Sequence, residues 1–409
     1  MLAETLPRVR RVAPPPQRTV VQRVTQQIIQ RRALLIPLAI ALVSRAVILV
    51  VADLIMRFAI VHRHYSLPFT GPISVWQRKD ALWYVRIAQT GYDYSPVAAS
   101  RANFFPLYPL LIHIFTPVAA ILPVHEPYAL AGMIISWVTF VIACVGLYRL
   151  ARDHFGERVA VITVTLLALF PFSLYYGAAY TESIYLVLAV WAFVAIERGN
   201  WWAAAALAGI ASASRPPGLL IGGCVGLAYL IDWYRTRHRL RLDILSLALV
   251  PVGTASYMLY CWVRWGDPLA YVKTSRAGWN GGHLQLTGLR FIGHVLIHPI
   301  SWIGTFDGNH EIDFVAIVLM LCFLGLTALV FRYLGPVYAL FSLASVMAPV
   351  LDFPNVNSLG RYLSVIFPVF MVVAYLLRDK PRVVIALSTI GGILLLLGAT
   401  YFIAGYGMS

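Results

Sequence analysis

WQRKDALWYVRIAQTGYDY, residues 76–94, is too polar to lie inside a membrane and too regularly patterned to be an ordinary loop. Residues 79–89 are predicted to form a short amphipathic helix. One of its faces carries, at helical spacing, Asp80, Trp83, Tyr84 and Ile87. A lone carboxylate ringed by aromatic side chains indicates a general base beside a sugar or a lipid headgroup. The alternative is that Asp80 caps its own helix or pairs with Lys79 or Arg86.

The remainder of the chain has the composition of a membrane protein. Of its 409 residues, 60% are hydrophobic and only 12% are charged, and apolar runs of helical length recur from end to end. This composition predicts an all-α, polytopic integral membrane protein. The net charge of +15 is interpreted as topogenic charge and attraction to anionic lipid, with no nucleic-acid partner. The cysteines indicate neither a disulfide framework nor a zinc site; they are Cys144, Cys224, Cys261 and Cys322.

The amino-terminal region sets the predicted orientation. Residues 1–32 are rich in arginine and are predicted to be a mobile cytoplasmic tail, ahead of a single transmembrane domain at 33–405. The apolar run 33–61 is too long for a signal peptide and lacks a cleavage site, so it is predicted to be the first transmembrane helix. Arg45 lies in the middle of that run, where a charge is costly, which makes it a candidate functional residue. The alternative is a structural ion pair with Asp53.

The topology depends on one proline-broken segment. Residues 62–127 are predicted to form an external loop that carries Asp80, and within it residues 103–123 are either a juxtamembrane helix or a span. We favour the juxtamembrane helix because it leaves the arginine-rich loop 149–158 on the cytoplasmic side. This topology has about 11 transmembrane helices, near 33–61, 128–150, 159–176, 182–197, 201–214, 217–231, 243–263, 312–331, 335–351, 361–377 and 383–405.

On this topology the polar interruptions collect on the external face of the membrane. They are the Asp80 helix, the turn YTES at 180–183, SRPPG at 214–218, the loop 266–283 and the turn 351–362. The chain carries no Walker loop and no GxGxxG motif. An activated donor must therefore be carried by a lipid or held by the membrane helices.

These external residues match the needs of transfer from a lipid phosphate to a hydroxyl group. Such a transfer needs a base, cations for the leaving phosphate and a site that excludes water. Asp80 is the candidate base. The candidate phosphate ligands are Arg361, Arg215 and Lys273, with an interfacial anchor as the alternative role of Arg361 and a structural cap as that of Arg215.

Glu182 opens a predicted helix, so it is either a second carboxylate near Asp80 or an acid stabilised by the helix N-terminus. The candidate residues for binding the sugar or the acceptor are Trp83, Tyr84, Tyr180 and Trp279, although Trp279 is also typical of an interfacial tryptophan. We expect no metal and no cofactor, because the spacing of the following residues matches no metal-binding pattern: His283, His294, His298, His310, Glu311 and Asp313.

Six motifs in order then give a family resemblance. They are KDALWYVRIAQTGY, FFPLYPLL, FPFSLYYGAAYTESIYL, ASRPPGL, GDPLAY with the later Trp279, and GRYLSVIFPVF. Together they resemble the PIG-V-like mannosyltransferases of the GT-C superfamily. The resemblance implies a GT-C-like helical bundle that transfers a sugar, typically mannose, from a polyprenyl-phosphate carrier with inversion. It also implies that Asp80 is the catalytic acid and that Glu182, Arg215 and Arg361 are active-site candidates.

The expected function is therefore sugar transfer from a polyprenyl-phosphate donor to a hydroxyl acceptor on the extracytoplasmic face. Family members that act in GPI-anchor assembly use dolichyl-phosphate-mannose. We expect membrane lipids but no obligate protein as partners, and a bacterial plasma membrane as the location. The alternative is a flippase or transporter of lipid-linked sugars, which would predict an internal inverted repeat and polar residues near the midplane.

Overall fold

A computed structural model describes residues 20–63, 71, 73–236, 242–298, 309–352 and 358–403, with the side chains of 20–30, 55, 56, 58–63 and 309–313 left aside. Most of the predicted basic tail lies outside the described residues. The same holds for the side chains of His310, Glu311 and Asp313, which belong to the histidine group considered above.

The regular structure of the described residues is helical, as the sequence predicts. The α-helices are α1 Val20–Arg63, α2 Asp80–Thr90, α3 Leu107–Ala119, α4 Pro127–Phe155, α5 Glu157–Ala168, α6 Glu182–Glu197, α7 Trp201–Ser212, α8 Gly218–Arg235, α9 Val252–Trp265, α10 Ala270–Trp279, α11 Thr287–Ile297, α12 Asn309–Leu334, α13 Pro336–Asp352, α14 Leu359–Ser364, α15 Phe367–Leu377 and α16 Pro381–Ile403. Short 3₁₀ helices cover Ser74–Trp76, Arg101–Asn103, Pro171–Tyr176 and Leu242–Leu249.

In the described part of the chain, fewer helices are long enough to cross a membrane than the roughly 11 spans that the sequence predicts. Among the described residues, four helical stretches are long and apolar enough to cross a membrane: Arg31–Leu54, Pro127–Phe155, Phe314–Leu334 and Pro381–Ile403. A fifth is added if Leu242–Leu249 and Val252–Trp265, which meet at a 44° bend, form one span. Several other apolar helices, such as α7 and α15, have only 10–17 residues. They are shorter than the roughly 20 residues that a straight span needs.

Prolines explain where the predicted helices are broken. The helix predicted at 159–176 ends at Ala168, and a 3₁₀ helix begins at Pro171. The helix predicted at 361–377 is two helices, α14 and α15, and Pro368 lies in the first turn of the second. Proline lacks an N–H donor and disfavours a helical residue before it, so each proline interrupts the chain of backbone hydrogen bonds.

The segments that the sequence predicts to be external contain more helix than it indicated. Helices α10 and α11 lie between the predicted helices 243–263 and 312–331, in the region that includes the predicted loop 266–283. Helix α3 occupies part of 103–123 but has 13 residues, or about 20 Å of length. This length is below that of a full span and is compatible with the juxtamembrane alternative.

Helix α4 forms the centre of the bundle and packs against α1, α3, α5 and α6. Gly146 allows α4 and α6 to approach closely, because a Cβ atom at this position would lie 2.8 Å from the side chain of Val190. The end of α6 that carries Glu182 is thereby held against the core. Glu182 itself has no exposed surface.

The possible pairing of Arg45 with Asp53 is wrong. Asp53 accepts a hydrogen bond from Arg57, one turn along α1, at 2.7 Å. The buried guanidinium of Arg45 instead donates to the backbone carbonyls of Ala168, at 2.8 Å, and of Ser173. Three to four residues along a helix share one face, whereas eight residues place Asp53 about two turns away from Arg45.

Candidate active site

Asp80 is the first residue of α2, and the backbone just before it is held from two sides. The guanidinium of Arg78 donates to the carbonyl of Ile403 at 2.7 Å, and the hydroxyl of Tyr180 donates to the carbonyl of Arg78 at 3.1 Å. Lys79 then turns the chain with φ 51° and ψ −115°, a conformation that side-chain-bearing residues rarely adopt. These constraints fix the direction in which α2 starts and, with it, the position of Asp80.

Asp80 pairs with an arginine from the far end of the chain. Nη1 of Arg361 lies 2.5 Å from Oδ2 of Asp80, across 281 residues of sequence. Asp80 therefore pairs with Arg361 and not, as the alternative had it, with Lys79 or Arg86. The side chain of Asp80 keeps 22% of its surface exposed and that of Arg361 keeps 13%, so the pair is accessible only from one side.

Glu182 and Arg215 extend the same group of charges. Nη1 of Arg215 donates to Oε1 of Glu182 at 3.2 Å, and Nε of Arg361 lies 3.7 Å from the same oxygen. Glu182 is thus the predicted second carboxylate near Asp80, linked to it through Arg361. The four side chains form a cluster of two carboxylates and two guanidinium groups, called here the charge cluster: Asp80, Glu182, Arg215 and Arg361.

Two polar atoms of the charge cluster are buried without a hydrogen bond to the described residues. They are Oε2 of Glu182 and Nε of Arg361. Leaving a charged group without its hydrogen bonds is costly in a site that excludes water. The described residues thus leave part of the hydrogen-bonding capacity of the cluster unused inside the protein.

Tyrosine rings line the arginines. The guanidinium of Arg361 lies 5.6 Å from the ring centre of Tyr180 and 6.0 Å from that of Tyr175. Arg215 lies 4.7 Å from the ring centre of Tyr362. These contacts hold each cation over an aromatic face and fix the plane of its guanidinium group. Tyr180, predicted to bind a sugar or the acceptor, thus lies directly beside the charge cluster.

Helix α2 places an aromatic group next to the acid. Trp83 stacks on Phe104 with ring centres 5.6 Å apart, and Trp279 meets the edge of Trp83 at 5.8 Å. Tyr84 packs on Phe104 and lies 3.5 Å from the hydroxyl of Thr181, next to Glu182. Burial raises the pKa of Tyr84 above its ordinary value, so its hydroxyl stays protonated at neutral pH. The structure therefore brings the predicted aromatic residues together beside Asp80.

Lys273 does not join the charge cluster. Its ammonium group lies 2.7 Å from Oδ2 of Asp267, and 53% of its side chain is exposed. The hydroxyl of Tyr94 donates to the same carboxylate oxygen at 2.5 Å. The hydrogen bonds from Lys273 and Tyr94 lower the pKa of Asp267 below its usual range. Lys273 is thus engaged in a separate ion pair at the surface.

No group of three or more potential metal ligands occurs among the residues that the structure describes. His283 and His294 fall within this part of the chain. Nδ1 of His283 lies 3.0 Å from the carbonyl oxygen of Gly281.

Several residues of the site were not picked out from the sequence. Thr181 and Tyr175 lie within the quoted motif FPFSLYYGAAYTESIYL, and Tyr362 directly follows Arg361, so their proximity to predicted residues was an available signal. Phe104 lies in FFPLYPLL and connects Trp83, Tyr84 and Trp279. Only the packing of α2 against α3 shows that it belongs to the site.

The fold is similar to one that is known from a solved structure. The structure of ArnT from Cupriavidus metallidurans, bound to undecaprenyl phosphate, matches with a TM-score of 0.50 at 14% sequence identity, covering 90% of this chain and 77% of ArnT. The helices are those of a multi-pass membrane protein.

The sequence places the chain within a particular family of that class. Residues 21–250 match the family model described as mannosyltransferase (PIG-V), which covers more than half of the chain. The chain belongs to the PIG-V mannosyltransferase family, which confirms the resemblance seen in the motifs. This membership does not favour the flippase alternative.

Two curated relatives are GPI alpha-1,6-mannosyltransferase 2 from Cricetulus griseus, 25% identical over 278 residues, and its namesake from Mus musculus, 24% identical over 277 residues. Each match covers 56% of this chain and 55% of the relative. The chain thus spans about half the length of the curated relatives it matches. Both relatives are eukaryotic, in contrast to the bacterial membrane expected from the sequence.

Proposed function

We propose that this protein transfers a mannosyl group from a polyprenyl-phosphate donor to a hydroxyl acceptor on the extracytoplasmic face of a membrane. The observation that carries the proposal is the pairing of Asp80 with Arg361 beside Glu182, in a chain of the PIG-V mannosyltransferase family. The lipid-phosphate donor is supported by the fold shared with ArnT, whose structure holds undecaprenyl phosphate.

In the proposed reaction Asp80 is the general base. Its carboxylate accepts the proton of the acceptor hydroxyl while that oxygen attacks C1 of the sugar. The new C1–O bond forms as the bond between C1 and the phosphate oxygen breaks, and the electron pair leaves with the polyprenyl phosphate. Attack in line with the departing oxygen inverts the anomeric carbon.

Arg361 and Arg215 are proposed to stabilise the departing phosphate. A guanidinium group has several donors in one plane and binds two phosphate oxygens at once. Arg361 uses Nη1 for Asp80, and its buried Nε has no hydrogen bond to the described residues. Arg361 can therefore face the phosphate while it remains beside the base. Because the cluster is largely buried, its charges act in a medium of low dielectric constant, where they are stronger than in water.

Glu182 and the aromatic residues are proposed to orient the substrates. Glu182 has no exposed surface, so it is proposed to act through Arg215 and Arg361, which its carboxylate holds in place. Trp83 and Trp279 offer an aromatic edge and face beside Asp80 on which a sugar ring can lie. Tyr84, kept protonated by burial, can donate to a substrate oxygen.

The test is the Asp80→Asn variant, purified and reconstituted in liposomes with polyprenyl-phosphate-mannose and an extract of candidate acceptor lipids. The amide has the size of the carboxylate but cannot accept the proton, so transfer of labelled mannose should fall by about 10²–10⁴-fold. Product analysis with the wild-type protein also identifies the acceptor and the anomeric configuration.

The matched control is Asp93→Asn. Asp93 lies in the same external region and also pairs with an arginine, Arg101, at 2.8 Å, but it is exposed and outside the charge cluster. It should transfer mannose at close to the wild-type rate. Undiminished transfer by folded Asp80→Asn protein would refute the assignment of the base.

A further inference from the structure

Arg45 was singled out in the sequence, and the proposed mechanism gives it no role. It lies on α1 with 1% of its surface exposed. Its guanidinium donates to the carbonyls of Ala168 and Ser173 and to the hydroxyl of Ser173, at 3.0 Å, and it lies 5.0 Å from the ring centre of Phe140. Among the described residues it has no carboxylate partner.

The position of Arg45 is the carboxyl end of α5. The last carbonyls of a helix lack partners within the helix and carry its negative partial charge. Arg45 satisfies one of them at Ala168 and also binds the 3₁₀ helix that follows, Pro171–Tyr176, called here the support segment. A neutral side chain with one or two donors cannot make this set of contacts.

The support segment in turn holds the part of the chain that carries Arg361. The hydroxyl of Tyr176 donates to the carbonyl of Ser364 at 2.8 Å, and the hydroxyl of Ser364 donates to the carbonyl of Arg361 at 2.6 Å. The ring of Phe172 lies so close to Gly360 that a Cβ atom at this position would overlap it. The residues on both sides of Arg361 are thus fixed by the support segment.

The same segment leads directly to the second acid. It is followed by the short turn that contains Tyr180 and Thr181, and α6 begins at Glu182. Within the segment, Tyr175 also faces the guanidinium of Arg361. The segment therefore contacts or positions both members of the Arg361–Glu182 contact, and Arg45 binds it in the middle, at Ser173.

We propose that Arg45 is a positioning residue for the reaction, which holds the support segment so that Arg361 and Glu182 keep the spacing needed for the donor phosphate. This inference rests on the proposed function. Arg45 does not touch the substrate and acts only through Ser173 and Tyr176. Displacing a catalytic group by about 1 Å can reduce a rate by about a hundredfold, so a residue that fixes this spacing has a kinetic effect.

The test compares Arg45→Gln with Arg57→Gln in the reconstituted mannose-transfer assay. Arg57 lies on the same helix, and its side chain is 75% exposed and pairs with Asp53. Rates are normalised to the folded fraction, measured by thermal unfolding of each variant. We expect Arg45→Gln to lower kcat and raise KM for the donor, with kcat/KM reduced by about ten- to a hundredfold. Arg57→Gln should keep the wild-type values.

A double-mutant cycle with Tyr176→Phe separates positioning from a general loss of stability. Tyr176→Phe removes only the hydrogen bond to Ser364. If Arg45 and Tyr176 act through one segment, the effects of the two variants on kcat/KM are not additive. Additive effects, or an Arg45→Gln protein with normal kcat/KM, would overturn the inference.

Two further readouts keep the inference distinct from the proposed function. The first is the affinity for undecaprenyl phosphate, measured by the quenching of tryptophan fluorescence. It should be lower in Arg45→Gln than in the wild-type protein even without turnover. Equal affinity would contradict the proposal. If Arg45→Gln does not fold, Ser173→Ala, which removes one acceptor of Arg45, should show the same kinetic pattern to a smaller degree. Absence of mannose transfer by the wild-type protein would instead refute the proposed function.

Discussion

Arg361 and Asp80 lie 281 residues apart in sequence and 2.5 Å apart in space, the distance that joins Nη1 to Oδ2. Because both side chains are mostly buried, neither charge has bulk water to replace its partner. The pair closes the site by linking the start of α2 to α14.

Replacing Arg361 by lysine keeps the charge but removes the planar set of donors. A lysine can pair with Asp80 or face a phosphate as a point charge, but it cannot bind two oxygens in one plane. We expect Arg361→Lys to reduce kcat/KM for a polyprenyl-phosphate donor by about a hundredfold, or about 3 kcal/mol, measured as initial rates of transfer. Arg378→Lys is the control. Arg378 also stacks on a tyrosine, Tyr375, but its side chain is 42% exposed and it does not belong to the charge cluster. Equal losses in both variants would contradict a specific phosphate contact.

Glu182 balances the charge of Arg215 inside the protein. Glu182→Gln leaves the guanidinium of Arg215 buried without an acid at 3.2 Å, and breaking a buried pair in this way costs about 3–5 kcal/mol. We expect a lower midpoint of thermal unfolding in detergent. Removing both charges, as in Glu182→Leu with Arg215→Met, should restore most of the stability but not the transfer of mannose. If the double variant is no more stable than Glu182→Gln, the pairing does not determine the stability.

Lys79 adopts a positive φ of 51° just before Asp80. Glycine takes this conformation without the steric penalty of a side chain, so we expect Lys79→Gly to be more stable than Lys79→Ala by about 1 kcal/mol. Lys79→Ala, which removes the same side chain but keeps the penalty, isolates the backbone effect. The measurement is thermal unfolding of the two variants side by side, and equal midpoints would show that the conformation stores no strain.

Trp279 reaches the site from α10 and meets Trp83 edge to face. Trp279→Ala removes an aromatic surface from the proposed substrate side of Asp80. We expect KM for the donor or the acceptor to rise by about tenfold, which corresponds to about 1.4 kcal/mol, with a smaller change in kcat. Trp202→Ala is the control, because Trp202 is 51% exposed at the start of α7. A change confined to kcat would place Trp279 outside substrate binding.

The Asp267–Lys273 pair predicts a pH dependence for the external segment. Hydrogen bonds from Lys273 and Tyr94 lower the pKa of Asp267, so the folded state favours the ionised carboxylate. The resulting stability is present above the ordinary aspartate pKa of about 4 and is lost as pH falls through the lower value of the folded state. The difference in unfolding midpoint between wild type and Asp267→Asn should therefore shrink below about pH 4. A difference that stays constant from pH 7 to pH 3 would contradict the shift.

The residues of the charge cluster could be found from the sequence because charges are rare in apolar chains. Asp80, Glu182, Arg215 and Arg361 all interrupt or border apolar helices, and a shared topology placed them on one side. Their pairing could not be read in the same way. It depends on how α6, α8 and α14 pack, and contacts across 281 residues leave no local pattern.

Helix ends and the role of Arg45 were harder to predict for a related reason. A helical pattern continues through Pro171 and Pro368 when only the apolar residues are counted, yet the backbone breaks at both. The alternative considered for Arg45 was an ion pair with Asp53, but the carbonyls of Ala168, at the end of α5, and of Ser173 are its partners. These carbonyls appear only once the helix is known to end there.

The contact of Arg78 with the carbonyl of Ile403 makes the last described turn of α16 part of the support for the backbone just before Asp80, the proposed base. Phe402 in the same turn packs against Trp76, Tyr175 and Tyr180. An affinity tag or a fluorescent fusion joined close behind this turn would disturb the position of the proposed base. For purification and imaging, the safer attachment point is therefore the amino-terminal side of α1.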